Sequence, residues 1–401
     1  MPAIGTLSFT NNDGLDSGIA LLLTKPPEEE IDFKYGNSQL LASPNTPYVI
    51  CRFFGASSFD DAYDKGGLLL QEGLDMLSIT GHADLVTREV EEEYLVWWVA
   101  SGTRSIALAS TATFSVKIGS VSLTVRDKQG NIVPPTPIFP KHNKGFRFYR
   151  LSQISDDLYD AYRNMYLAFE YLLSSKYPKT QRYEKDWIYQ SLTSASADLG
   201  LSGLVPAGTA DPVDHIFNVI YVNARLPLFH AKHGKAYFVP IQSTNDREVI
   251  TSALGMLTQI VLRMAEIWFS ARRMSGWLNL KIFEQQNRPL FDGSHFVITD
   301  NPNFTLQDEL EAQSITNGIS FPGSFSEYHG AQNRQNVSGT LQISALTSTY
   351  QLHTIYVVNE KKILLGASLD AALDLIGFDI FYIYLFIRGR NASAPKDLYS
   401  R

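Results

Sequence analysis

The chain is poor in the features that usually announce a chemistry. It holds one cysteine, Cys51, among 401 residues. An internal disulfide and a cysteine-rich zinc site are therefore both excluded. Cys51 lies in the apolar run Tyr48–Phe54 and is expected to be a buried, inert thiol. Basic residues do not outnumber acidic ones, and the formal net charge is −7. No global positive field attracts nucleic acid, so DNA is not an expected partner and RNA would need a local basic patch. Long apolar runs are also missing. The longest, Ile380–Ile387, is eight residues, the size of a buried strand and far short of a membrane span. The opening Met1-Pro-Ala-Ile-Gly5 shows no basic-then-apolar signal pattern, so the expected location is cytoplasmic. Nucleophile-elbow, P-loop and dinucleotide fingerprints are absent, and no cofactor is expected.

What is present is an ordinary globular composition, 44% hydrophobic and 19% charged, in a chain long enough for two or three domains. Residues 1–148 alternate strand-like runs (Ile19–Leu23, Tyr48–Phe54, Tyr94–Ala100, Ser105–Ala109, Val121–Arg126) with one helix over Ala62–Leu77, weakened at its start by Gly66 and Gly67. The proline-rich stretch Pro134–Pro140 reads as a linker. Residues 149–275 change to a helical period. Ser155 is placed to cap a helix carrying Tyr162, Met165, Tyr166 and Phe169 on one face, and a second helix is expected over Glu184–Ala195. Asp211-Pro212 opens a third, which Pro227 should end or kink, and Asn245 to Glu248 fits a capping box for a fourth, long helix. Residues 276–401 return to β patterning, with Asn301–Gly339 as a polar excursion and Ala367–Asp374 as a short helix. The expected fold class is thus α+β and multidomain: a central bundle of four to five helices, flanked by a mixed α/β N-terminal domain (1–148) and a β-rich C-terminal domain (276–401).

The most informative stretch is Arg225-Leu-Pro-Leu-Phe-His230. An arginine offers a planar fork of donors to a phosphate, and an imidazole exchanges a proton near neutral pH. Two plainer roles compete for these residues. Arg225 would serve as a cation at a helix C-terminus or in a salt bridge to Glu170 or Asp214, and His230 as a half-buried hydrogen-bonding side chain. His230 and His233 lack a third ligand, so no metal is expected.

The helical segment resembles a HEPN domain. Two places carry the resemblance: Tyr162-Arg-Asn-Met-Tyr-Leu-Ala-Phe-Glu170, similar to the first helix of ApeA-like and MauJ-type members, and the arginine, four residues, histidine motif Arg225 to His230. It covers about a third of the chain. The resemblance implies a HEPN-like bundle and metal-independent RNA cleavage by attack of the ribose 2′-hydroxyl, in a stress, toxin or phage-defence setting. It implies Arg225 on the phosphate, His230 as general base or acid, and a homodimer joined through the bundle. Asn223 and Asn164 are candidates for the polar group that active members carry after the arginine, where this chain has Leu226. Glu170 would orient Arg225, and Lys232 and His233 would add local basic character. A catalytically silent bundle serving dimerisation or ligand binding, and a structural assembly protein, are the alternatives.

Overall fold

The computed structural model describes residues 2–10, 14–82, 85–88, 93–116, 140–155, 157–230, 237–238, 244–271, 278–301, 318–328, 334–343, 350–359, 363–391 and 399–400. In chain order the strands and helices run β1 (Ala3–Ile4), β2 (Leu7–Ser8), β3 (Ser17–Leu22), β4 (Ile31–Tyr35), β5 (Ser38–Ser43), β6 (Thr46–Phe53), α1 (Phe59–Thr80), β7 (Glu93–Ala100) and β8 (Thr103–Val116). Next come α2 (Gly145–Ile154), α3 (Leu158–Lys176), α4 (Glu184–Leu199), α5 (Pro212–Phe217), a π-helical segment (Asn218–Arg225), α6 (Leu226–Phe229) and α7 (Thr244–Phe269). The chain ends with β9 (Leu278–Asn279), α8 (Leu280–Phe291), β10 (His295–Thr299), β11 (Ile319–Tyr328), β12 (Arg334–Gln342), β13 (Gln351–Val358), β14 (Ile363–Asp374), β15 (Ile380–Asn391) and β16 (Tyr399–Ser400). Two compact units result. One gathers Met1–Phe114, Ile241–Thr244 and Lys281–Gly389, the other Ser115–Pro240, Asn245–Leu280 and Arg390–Arg401.

The first unit corrects the expected fold class. Its strands form one 14-stranded sheet in the order β2-β1-β14-β13-β10-β11-β12-β15-β8-β7-β3-β6-β5-β4. The N- and C-terminal segments are not two flanking domains around a central bundle; they interleave in a single sheet, and that sheet dominates the fold. The join is made at several places. β1 pairs with β14 in the register Ala3 to Asp374, and Gly5 donates to the Ala372 carbonyl at 2.9 Å. Asp379 accepts from the Arg104 backbone through its side chain at 2.8 Å and donates its own N–H to the Arg104 carbonyl at 2.8 Å. Sequence patterning could identify the strands but not these long-range partners.

Local differences have the same cause. Ala367–Asp374, expected as a short helix, is the continuation of β14, because β13 and β1 both claim its backbone. The polar stretch Asn301–Gly339 contains β11 and most of β12, which pair in the register Gly323 to Gly339. The expected strand Val121–Arg126 and most of the proline-rich linker lie outside the described residues.

Helix α1 covers one face of this sheet. Ser58 caps it by accepting from the Asp61 N–H at 3.2 Å, and Ala62, Leu70, Leu74 and Leu77 pack on Ile19, Val49, Cys51 and Val96. Gly66, which weakens the helix on propensity, sits at the closest approach: a Cβ there would lie 2.9 Å from both Ile19 and Phe53. Gly18 on β3 is tighter still. The Trp97 ring lies where its Cβ would be, 2.0 Å away, and the Cys51 carbonyl would be 2.5 Å away.

The second unit is helical and buries the apolar face of α3 (Tyr162, Met165, Tyr166, Phe169, Leu172) against α4, α5, the π segment and α7. Asp157, not Ser155, caps α3, accepting from the Asp160 N–H at 2.7 Å; Ser155 instead terminates α2. Asp211 caps α5 by accepting from Asp214 N–H at 3.0 Å. Asp246–Phe269 of α7 is long and apolar enough to cross a membrane, and half of its apolar window is buried inside the structure.

The sheet unit generates one stability prediction. Gly18→Ala forces Trp97 and the β6 backbone apart and should destabilise this unit by ~1–3 kcal/mol. A denaturant melt should show the loss, and an unchanged midpoint would mean that β3 and Trp97 do not pack as described.

Candidate functional site

Helical geometry runs without a stop from Pro212 to Phe229, through α5, the π segment and α6. Pro227 does not end it. A proline ring ordinarily collides with the carbonyl four residues back. Here the preceding turns are widened to the π form, with Leu226 donating to Tyr221 five residues earlier, which relieves that clash at the place where π turns tend to carry function. The wide turn is also held from outside: the buried Tyr162 hydroxyl donates to the Ile220 carbonyl within it. Arg225 closes the π segment and His230 follows the last residue of α6. Arg225 is consequently not a terminal cation, since the helix continues past it.

The guanidinium of Arg225 has three kinds of neighbour. Its Nη2 donates to Glu184 Oε2 at 2.7 Å, an ion pair whose side chains are only 13% and 22% exposed. Its Nη1 lies 2.9 Å from His230 Nε2. Its central carbon lies 5.2 Å from the Phe229 ring centre, 5.4 Å from Tyr221 and 5.8 Å from Tyr166. The aromatic walls accept a flat cation, and the carboxylate offsets the cost of burying its charge. Glu184 is fixed in turn by the hydroxyl of Tyr166, which donates to Oε1 at 3.0 Å. Burial pushes the Tyr166 phenol far above its ordinary range, with Glu184 adding to the effect, so this group is a donor at any working pH.

Of the residues singled out from sequence, Arg225 and His230 are in direct contact, and His230 is exposed. Glu170 shares the surroundings but does not take the ion pair, which goes to Glu184. Asp214 likewise does not take it; it accepts from Asn218 at 3.0 Å. Asn223 is exposed on the π segment. Asn164 donates back to the Asp160 carbonyl of its own helix at 3.0 Å. Lys232 and His233 lie outside the described residues. Sequence reasoning missed Glu184, Tyr221 and Phe229. Glu184 is distant in sequence, and only the neighbouring positions of Tyr221 and Phe229 along the same helix as Arg225 could have suggested them. Among the described residues no group of three His, Cys, Asp or Glu side chains could hold a metal ion.

Two carboxylates share this neighbourhood. Burial raises the Glu170 carboxyl above its ordinary value, Glu184 raises it further, and Arg225 and Lys179 pull it back. With two acids beside one arginine, negative charge opposes an anion on that side, while the other contact of the guanidinium is the exposed His230. The chain matches no family model, no curated protein and no solved structure.

The raised Glu170 carboxyl means that folding favours its protonated form. Its favourable contribution is present below the ordinary glutamate value of ~4.3 and is lost as pH rises through the raised value. Glu170→Gln removes that loss. The variant should be more stable than the parent at pH 7, with the difference closing towards pH 4. Urea melts at the two pH values check this, and a difference that is the same at both would sink it.

Proposed function

We propose that the helical unit carries a HEPN-type, metal-independent RNA-cleaving site at Arg225 and His230. The observation that carries the reading is the exposed His230, whose Nε2 is held 2.9 Å from the Arg225 guanidinium. A phosphate-binding cation and a proton-transferring imidazole therefore meet at one solvent-open edge. In the reaction the ribose 2′-oxygen bonds to the adjacent phosphorus as the phosphorus–O5′ bond breaks. The 2′-hydroxyl proton leaves to a base, and the departing O5′ receives one. Arg225 stabilises charge gathering on the non-bridging oxygens, and His230 performs one of the two proton transfers. A second copy of the chain, presenting its own motif, would supply the other. RNA and a homodimeric partner belong to this reading, as does a role in defence or stress.

A second reading, a catalytically silent binding module, draws on a different observation. Glu184 already occupies one donor of the Arg225 fork, and an anion must share the guanidinium with it.

Incubation of the purified protein with total RNA and a chelator separates the two. Arg225→Ala and His230→Ala should each lower cleavage by at least ~10²-fold, the scale of a lost transition-state contact or proton transfer. Wild-type protein that leaves RNA intact at every concentration, including those that favour dimers, removes the nuclease reading in favour of the module.

A further inference from the structure

Four side chains form a continuous chain from the core to solvent. Tyr166, buried on α3, donates to Glu184 Oε1 at 3.0 Å. Glu184, at the first position of α4, accepts from Arg225 Nη2 at 2.7 Å. Arg225 Nη1 meets His230 Nε2 at 2.9 Å, and His230 is exposed. A guanidinium has donors only and does not lose its proton in proteins. The partner nitrogen must therefore be the acceptor. His230 in this arrangement is a neutral imidazole whose Nε2 carries a lone pair and whose proton is on Nδ1.

We propose that Glu184 and Tyr166 are positioning residues that act through Arg225 to fix the tautomer of His230 before substrate arrives, so that Nδ1–H is a hydrogen-bond donor turned to a substrate oxygen. Proton transfer at Nε2 follows once the incoming anion draws Arg225 Nη1 off that nitrogen. The assignment of that substrate as a phosphodiester rests on the function proposed above; the tautomer itself does not. The logic is that of a metal-bound or catalytic histidine, whose free nitrogen is set by what the other nitrogen contacts. Here the partner is a cation. It holds that orientation only while an acceptor behind it fixes the guanidinium plane, and Glu184 Oε2 supplies that acceptor. Three rings limit the sideways freedom of the guanidinium. Among the described residues its Nε is buried without a hydrogen-bond partner, so the ion pair with Glu184 is what sets its rotation. Removing the carboxylate lets the plane turn, and His230 loses the donor that holds Nε2.

Long-range proton–nitrogen correlation spectra of the full chain, labelled with ¹⁵N-histidine and recorded where imidazole is neutral, test this. His230 is assigned by its loss in His230→Gln. The expected wild-type pattern is a protonated Nδ1 and an unprotonated Nε2. Glu184→Ala should convert it to the tautomer mixture of a free imidazole, and Glu184→Gln, which keeps an oxygen for Arg225, should restore the wild-type pattern. A wild-type His230 protonated on Nε2, or a Glu184→Ala variant that melts cooperatively with the tautomer unchanged, overturns the proposal. If Glu184→Ala does not fold, Tyr166→Phe decides: a partial shift towards the mixture supports the chain of contacts, and no shift overturns it. RNA cleavage measured on the same samples keeps the two ideas apart. An inactive wild type with Nδ1–H intact removes the nuclease alone, and an active wild type with Nε2–H removes the positioning alone.

Discussion

A half-buried arginine cannot be left without a counter-charge, and the geometry around Arg225 follows from that requirement. The pair with Glu184 couples the start of α4 to the end of the π segment. The hydroxyl of Tyr166 then ties α3 to the same carboxylate. Desolvating two charges costs several kcal/mol each, so the pair does not explain why the unit folds. The apolar contacts of α3, α4 and α7 do that. The ion pair instead selects one arrangement among those the apolar core would tolerate, because any other leaves a charge in a low-dielectric setting. The exposed His230 is placed by that selection.

The π segment shows how a local sequence conflict becomes part of the same arrangement. Pro227 is hostile to an α-helix, and the bundle nonetheless needs Leu228 buried. Widening the preceding turns allows both. The backbone carbonyls displaced from α spacing need partners, and Tyr162 answers one of them at Ile220. Two tyrosines a helical turn apart on α3 thus serve the motif helix in different ways: Tyr162 holds its backbone, and Tyr166 holds the acid that holds its arginine.

Much of the local structure was legible in the residues. The apolar period of α3 placed Tyr162, Met165 and Phe169 in the core, and Asp211-Pro212 marked the start of α5. Relations between distant segments were not legible. Nothing in Ala367–Asp374 shows that β1, at the other end of the chain, will pair with it, and alanine-rich patterning favoured a helix there. Glu184 was invisible for the same reason: it lies 41 residues before Arg225, and an acid at a helix start ordinarily serves the dipole. Glu170, near the right place on the right helix, was the natural but mistaken partner. Period and capping are local quantities, whereas sheet order and ion-pair choice depend on which segments meet.

The charge around the motif sets a condition on any anionic ligand. An incoming phosphate brings negative charge to a site that already holds Glu184 at 2.7 Å from the arginine and Glu170 nearby. Its approach from the interior side meets two acids and three aromatic rings. From the His230 side it meets the imidazole and the second N–H of Nη1, the first being given to His230 Nε2. A protonated carboxyl at Glu170 would lessen the repulsion, and the upward push on that group, from burial and then from Glu184, works in this direction. Bound anion would itself raise the Glu170 carboxyl further, since like charges disfavour ionisation. On the proposed function, phosphate binding and proton uptake at Glu170 would therefore be coupled, and the coupling would run both ways. On that function an anion would sit at the rim, beside the exposed His230, and the two acids would oppose drawing it deeper.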